Sequence, residues 1–147
     1  MRLRLLTACS MLALVFAGCA TGPQSGPAAA RFATIVGAEE KSLLLDNFTA
    51  FVAAVNGRPV VGGRSNWDKQ VTLPAGHCRL TAGFIRGNFH AQAELEFEAK
   101  ADTSYQLQFK TDAELFGKNS FCDFWIVDLA TGQPVTGKIQ VTVTKGG

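Results

Sequence analysis

The chain has 147 residues, of which 47% are hydrophobic and 18% are charged, and its formal net charge is +2. Arg2 and Arg4 account for that excess, because without them 12 basic residues stand against 12 acidic ones. A balanced chain without a Lys/Arg cluster lacks the electrostatic footprint of nucleic-acid binding, so we expect no nucleic-acid partner.

The first 18 residues have the layout of an export signal. Arg2 and Arg4 form a basic start, and a mostly apolar run follows at residues 5–17. This run is too short to span ~30 Å of hydrocarbon as a stable helix. The pattern therefore predicts a cleaved signal peptide at residues 1–18.

The residues VFAGC at 15–19 resemble the lipobox of bacterial lipoproteins. The resemblance implies that the Cys19 sulfur receives diacylglycerol, that cleavage occurs before Cys19, and that the new amino terminus is acylated. Several acyl chains, at ~0.8 kcal/mol per buried CH₂, would anchor the protein to membrane permanently. Ala20 stands where family members of the inner membrane often have Asp, which implies the periplasmic leaflet of the outer membrane. An ordinary signal peptide with an incidental cysteine is the alternative.

Beyond Cys19 the composition changes twice. Residues 19–30 are small and uncharged and include two prolines, which predicts a flexible tether. Residues 31–147 are enough for one compact domain with one core. Near its start, residues 38–46 have the pattern of one short helix of about two turns.

Period-two alternation elsewhere predicts half-buried antiparallel strands. Turn signals such as Asn56-Gly57 separate them, and the polar residues 101–104 suit a hairpin connection. Residues 121–129 are apolar on nearly both faces, which predicts a central strand. The fold class is therefore an all-β, immunoglobulin- or transthyretin-like antiparallel β-sandwich of seven to nine strands. The clearest predicted strands are residues 48–55, 58–61, 70–73, 78–86, 93–100, 105–110, 121–129 and 139–144.

Two cysteines remain in the predicted mature domain. Cys9 leaves with the signal peptide and Cys19 is taken by lipid, so Cys78 and Cys122 form one even pair in an oxidising compartment. Alternation places both sulfurs on inner faces of the sandwich. We therefore predict a disulfide between the two sheets, worth on the order of 3–4 kcal/mol.

Short motifs follow one another along the middle of the chain: VNGR at 55–58, VTLPAGH at 71–77, LEFEA at 95–99 and YQL at 105–107. This succession resembles small proteobacterial lipoproteins with a PEGA-like or transthyretin-like sandwich, over roughly residues 48–130. Ala75 departs from it, since a PEGA motif has Glu there. The resemblance implies a surface-associated, non-enzymatic β-domain.

The aromatic residues offer the best candidates for binding. Trp67 lies in a Gly-rich loop between Arg64 and Asp68, a combination that suits sugar stacking or a protein contact. The alternative is that Trp67 folds back onto the core. Trp125 alternates away from Phe124, so it would cover a second apolar surface, either under residues 38–46 or under a partner. Core packing is its favoured interpretation.

Other polar residues have ordinary structural interpretations. His77 and His90 lack metal-ligand spacing, so no metal site is predicted. Glu94, Glu96 and Glu98 form a solvated strand face, not a carboxylate pair set across a cleft. No motif indicates a catalytic nucleophile or a cofactor. We therefore expect a lipid-anchored binding or scaffold module for an envelope protein or polysaccharide, and the alternative is a periplasmic enzyme or inhibitor.

Overall fold

The computed structural model describes residues 31–42, 47–61, 63–112 and 120–146. The predicted signal peptide, Cys19 and the tether at 19–30 lie outside the described residues. In the described ranges, no helix is long and apolar enough to cross a membrane. The strands are β1 (Phe32–Val36), β2 (Ala38–Glu40), β3 (Phe48–Val55), β4 (Arg58–Pro59), β5 (Val71–Pro74), β6 (Gly76–Arg86), β7 (Phe89–Ala99), β8 (Ser104–Thr111), β9 (Phe121–Asp128), β10 (Ile139–Thr142) and β11 (Thr144–Lys145), and a 3₁₀ helix (Gly63–Asn66) lies between β4 and β5.

The strands form two sheets that pack as a sandwich, so the all-β fold is confirmed. Sheet 1 has the order β10-β9-β8-β1-β5, and sheet 2 has the order β11-β7-β6-β3-β2 with β4 added to β3. Strand β9 is interior, as its apolar sequence predicts. Among the described strands, β1 and β8 pair in parallel and the other pairs are antiparallel. Eleven strands are described instead of seven to nine, because pieces of two or three residues are too short to give a readable alternation.

Alternation along each strand produces the core. In β7, Leu95 and Phe97 are buried while the glutamates between them are exposed. Burial of each large apolar side chain contributes about 1.5–3 kcal/mol. Across the sandwich, the Phe97 ring lies 5.2 Å from that of Tyr105. The Tyr105 hydroxyl, buried among these residues, accepts a hydrogen bond from the Lys100 backbone N–H at 2.9 Å.

The connection at residues 101–104 is not a hairpin, so that prediction is wrong. Strand β7 belongs to sheet 2 and β8 to sheet 1, and the chain passes between the sheets through Asp102, which has a φ of 59°. Phe97 and Tyr105 therefore face each other across the core and are not neighbours in one sheet. Alternation could not decide this, because one apolar face per strand suits either arrangement.

The predicted helix at 38–46 is also wrong where the structure describes it. Residues 38–40 are strand β2, which pairs with Phe48, Thr49 and Ala50 of β3. Residues 43–46 lie outside the described ranges. Ala, Glu, Lys and Leu favour helix locally, but such propensities are weak, and the backbone hydrogen bonds offered by the edge of β3 override them.

The last predicted strand divides between the sheets. Residues 139–142 pair with β9 as β10, whereas Thr144 and Lys145 pair with β7 as β11. Val143 lies at the division and is buried. This crossing joins the sheets along one long side of the sandwich, and on the opposite side β5 faces the β3–β4 hairpin.

Gly37 marks another crossing, from β1 in sheet 1 to β2 in sheet 2. Its N–H donates to the Trp67 carbonyl oxygen at 2.6 Å. A Cβ at this position would clash with the Ala50 carbonyl oxygen and lie 2.8 Å from that of Trp67. The backbones therefore approach so closely that only glycine fits.

Replacing Gly37 tests this constraint. Gly37→Ala should lower the free energy of unfolding by about 3 kcal/mol, because the obstructing atoms are backbone and cannot rotate away. Urea denaturation of both proteins measures the difference. Gly137→Ala is the control: a Cβ there meets nothing within 4 Å, so stability should change by less than about 1 kcal/mol. Similar effects of the two substitutions would contradict the explanation.

Candidate functional site

A groove runs along the side of the sandwich where β5 of sheet 1 faces the β3–β4 hairpin of sheet 2. It has two adjoining parts of about 310 and 510 Å³, and Val60, Val71 and Thr72 line both. We call it the seam groove. Its lining residues are Gly37, Val52, Val55, Asn56, Arg58, Pro59, Val60, Val61, Gly63, Asn66, Trp67, Lys69, Gln70, Val71, Thr72 and Pro74.

Local sequence explains how the sheet 2 wall forms. Asn56 and Gly57 have φ values of 50° and 76°, which is the geometry of the predicted type I′ turn. This turn brings β4 back beside β3, and the Val60 N–H donates to the Ala53 carbonyl oxygen at 2.9 Å. The side chain of Val61 is then left 98% exposed at the lip of the groove. Val61 is therefore accessible to any molecule that enters the groove.

The structure separates the three predicted binding residues. Trp67 is half-buried and lines the seam groove, so it belongs to the candidate site. Arg64 lies in the 3₁₀ helix, and Asp68 is exposed. Neither of these two belongs to the groove lining. The predicted loop thus supplies Gly63, Asn66 and Trp67 to the groove lining, and the charged residues Arg64 and Asp68 lie outside that lining.

Most residues of the groove were missed by sequence reasoning. Val60 and Val71 have the pattern of ordinary strand residues, and Arg58 and Lys69 that of surface charges. They meet only because β4 and β5 end up at the same side of different sheets. The apolar pair Val60-Val61 beside Gly62 is the one local signal that could have pointed here.

On the outer face of sheet 2, Glu94, Glu96 and Glu98 of β7 are exposed, as predicted. The alternating glutamates of β7 lie opposite His77, Arg79 and Thr81 of β6. His77 Nδ1 is 3.4 Å from Glu98 Oε1, and both side chains are largely exposed. Such a pair contributes at most about 1 kcal/mol. Within the described part of the chain, no three His, Cys, Asp or Glu side chains are placed to hold a metal ion.

Trp125 lies on the outer face of sheet 1, so the prediction of core packing is wrong. Phe124 and Ile126 on either side of it are buried, whereas Trp125 is half-exposed. The Lys138 Nζ atom lies over its ring at 4.5 Å from the centroid. A cation–π contact therefore covers part of the indole, in the place that a stacked ligand would need.

Asp112, just after β8, binds the backbone at the start of β9. Its carboxylate accepts hydrogen bonds from the backbone N–H groups of Ser120 and Phe121, at 2.9 and 3.0 Å, and from the Ser120 hydroxyl. Slight burial opposes ionisation, but these hydrogen bonds outweigh it and lower the pKa of Asp112. The ionised carboxylate thus fixes the start of β9.

The predicted disulfide is absent, because Cys78 and Cys122 are both free thiols. Their predicted orientation is correct, since both are buried on inner faces. The two cysteines lie at different positions along the length of the sandwich. Cys78 pairs with Phe97, whose ring packs on Tyr105 of β8. Cys122 pairs with Thr111 of the same strand. Tyr105 and Thr111 are six residues apart on β8, about 20 Å along a strand. A disulfide needs Cα atoms within about 7 Å.

The two thiols are held in apolar surroundings. Burial, followed by the charge of Asp123, raises the pKa of Cys122 to about 12. Burial, followed by the charge of Glu98, raises the pKa of Cys78 as well. The Cys78 S–H donates to the Pro74 carbonyl oxygen at 3.1 Å. Both side chains therefore behave as small protonated core residues and not as nucleophiles.

Comparison with family models, with curated proteins and with solved structures finds no match to this chain. The fold and the groove by themselves define the class: a two-sheet, all-β sandwich with a mainly apolar groove along one side.

The raised pKa of Cys122 predicts a loss of stability at alkaline pH. An unfolded thiol ionises near pH 8.5, whereas the folded one stays protonated to about pH 12. The stabilisation is therefore complete below pH ~8.5 and declines as the pH rises toward the folded value. Urea denaturation from pH 7.5 to 10.5 should show a steeper decline for the wild type than for Cys122→Ala. Parallel declines would contradict the assignment.

Proposed function

We propose that this chain is a lipid-anchored protein of the bacterial envelope whose β-sandwich acts as a binding or scaffold module in the periplasm. The seam groove carries the proposal. Val52, Val60 and Val71 line it, the exposed Val61 lies at its lip, and Trp67 forms part of its wall. Surfaces of this composition bind partners through a few large or apolar anchors.

The chemistry of the groove favours binding over catalysis. Its described lining includes Arg58 and Lys69 but no His, Cys, Asp or Glu, so it offers neither an acid–base pair nor a nucleophile with its base. Catalysis by an enzyme would require such groups to converge in the pocket. An envelope protein or polysaccharide is the proposed class of partner.

The proposed localisation rests on the amino-terminal residues. A basic start, a short apolar run and the small residues before Cys19 support export, lipidation of Cys19 and a position in the periplasmic leaflet of the outer membrane. The proposal includes kinship with PEGA-like or transthyretin-like lipoproteins, which the motifs between residues 48 and 130 support.

Lipidation is tested by replacing the cysteine. We expect Cys19→Ala to give an unanchored or unprocessed product, whereas the wild type partitions with membranes and carries acyl mass on its first residue. Mass spectrometry of the amino-terminal peptide measures both. Cys9→Ala is the matched control, since Cys9 lies within the apolar run and should be dispensable. A mature amino terminus elsewhere, without acyl mass, would contradict the proposal.

Binding at the groove is tested by site-specific photocrosslinking in intact cells. A benzophenone amino acid at Val61, which is 98% exposed, should form discrete adducts with an envelope component. The same group at Val135, which is 39% exposed and outside the groove lining, is the control and should not. Gel shift and mass spectrometry identify the adducts. Equal labelling at both positions, or none at Val61, would contradict a binding role.

A further inference from the structure

Strand β5 presents an open backbone edge to the seam groove. The Ala75 N–H donates to the Arg31 carbonyl oxygen. The backbone N–H and C=O groups of every second residue of β5, counted back from Ala75, therefore point toward β1. In an antiparallel pair the direction alternates, so the N–H and C=O of Thr72 point away from β1. The opposite residue Thr34 agrees, because its N–H donates to Thr103 on the far side of β1.

The rest of the seam is protected against strand pairing. On the facing wall, Pro59 has no N–H to offer, and prolines are a usual means of blunting an edge strand. At the end of β5, Pro74 also lacks an N–H, and its carbonyl oxygen accepts the Cys78 S–H. In the described structure, β5 pairs with β1 alone. Thr72 is thus the place where an added strand would find both a donor and an acceptor.

The charged residues of the groove indicate which kind of peptide strand it would bind. Arg58 lines one part of the groove and Lys69 the other, and the described lining contains no acidic side chain. Both cations are exposed, so they can meet a ligand without prior desolvation. Between them lie Val60 and Val71, which two or three apolar side chains of a ligand could cover.

We propose that the seam groove binds an extended polypeptide with acidic residues on either side of a short β-branched core, as a strand added to β5. Hydrogen bonds to Thr72 would align it, and Arg58 and Lys69 would select its charge. A second copy of this chain fits less well, since pairing β5 with β5 would bring the cations of both copies together. The inference rests on the proposed binding function and names its ligand class.

The test uses fluorescein-labelled synthetic peptides and the full chain in detergent. The peptides are Glu-Glu-Val-Thr-Val-Glu-Glu and its counterpart with Lys in place of Glu. Fluorescence anisotropy should show saturable binding of the acidic peptide and about tenfold weaker binding of the basic one, with the difference reduced by added salt. Arg58→Glu combined with Lys69→Glu should reverse this preference, whereas Lys145→Glu, on β11 at the other side of the sandwich, should not.

The backbone is tested separately from the charges. Thr72→Pro removes the outward N–H and should weaken the acidic peptide about fivefold to tenfold, the effect of losing one hydrogen bond. Thr72→Val keeps the N–H and should bind like the wild type. If Thr72→Pro fails to fold, backbone N-methylation of the peptide on the paired side should give the same loss with the unaltered protein.

Several outcomes would overturn the inference. Equal binding of both peptides, or binding indifferent to Thr72→Pro and to N-methylation, would rule out strand addition. Light scattering that shows a dimer lost in Thr72→Pro, without peptide binding, would assign β5 to a second copy. Crosslinks from Val61 to a polysaccharide, with no peptide bound, would contradict this inference and still support the proposed binding function.

Discussion

The inner faces of the two sheets are held at a fixed separation by ring pairs at both ends of the sandwich. Phe97 packs edge-on against Tyr105, and the Phe84 and Phe109 rings lie 5.6 Å apart at the other end. Consecutive strands often belong to different sheets, so the chain crosses between the layers repeatedly. It does so within a few residues at Gly37, at Ala75, at residues 101–104 and at Val143, and the close backbone contact at Gly37 leaves no space for a side chain.

These crossings decide where a ligand can bind. The crossing at Val143 joins the sheets along one long side, whereas on the other side β4 and β5 end beside each other as strand edges. A sandwich must protect such edges, and here Pro59 and Pro74 do so for part of the seam. Thr72 is left unprotected among apolar side chains and two cations. The candidate site is therefore a consequence of how the sandwich is closed, and the segment between β4 and β5, which includes Trp67 and Lys69, completes its wall.

The cysteines show how a correct face assignment can lead to a wrong bond. Both thiols point inward, as alternation predicts, but they lie near opposite ends of the sandwich. In that position they contribute apolar packing, and their raised pKa values keep them protonated at neutral pH. The cohesion of the described domain thus comes from side-chain burial across the core and not from a covalent link between its sheets.

Most of the longer strands, the buried faces of strands such as β7, and the Asn56-Gly57 turn were determined by sequence alone, because alternation and turn chemistry are local. The same local signals could not say which strands share a sheet. An apolar face is satisfied equally by a neighbour in the same sheet or by a strand opposite, so alternation predicts a hairpin at residues 101–104 where the chain in fact crosses between the sheets. Residues 38–40 became a strand against their propensity because β3 offered hydrogen bonds. The seam groove was decided by tertiary structure alone, since Arg58, Val60, Lys69 and Thr72 meet only after two distant strands reach the same side of the sandwich.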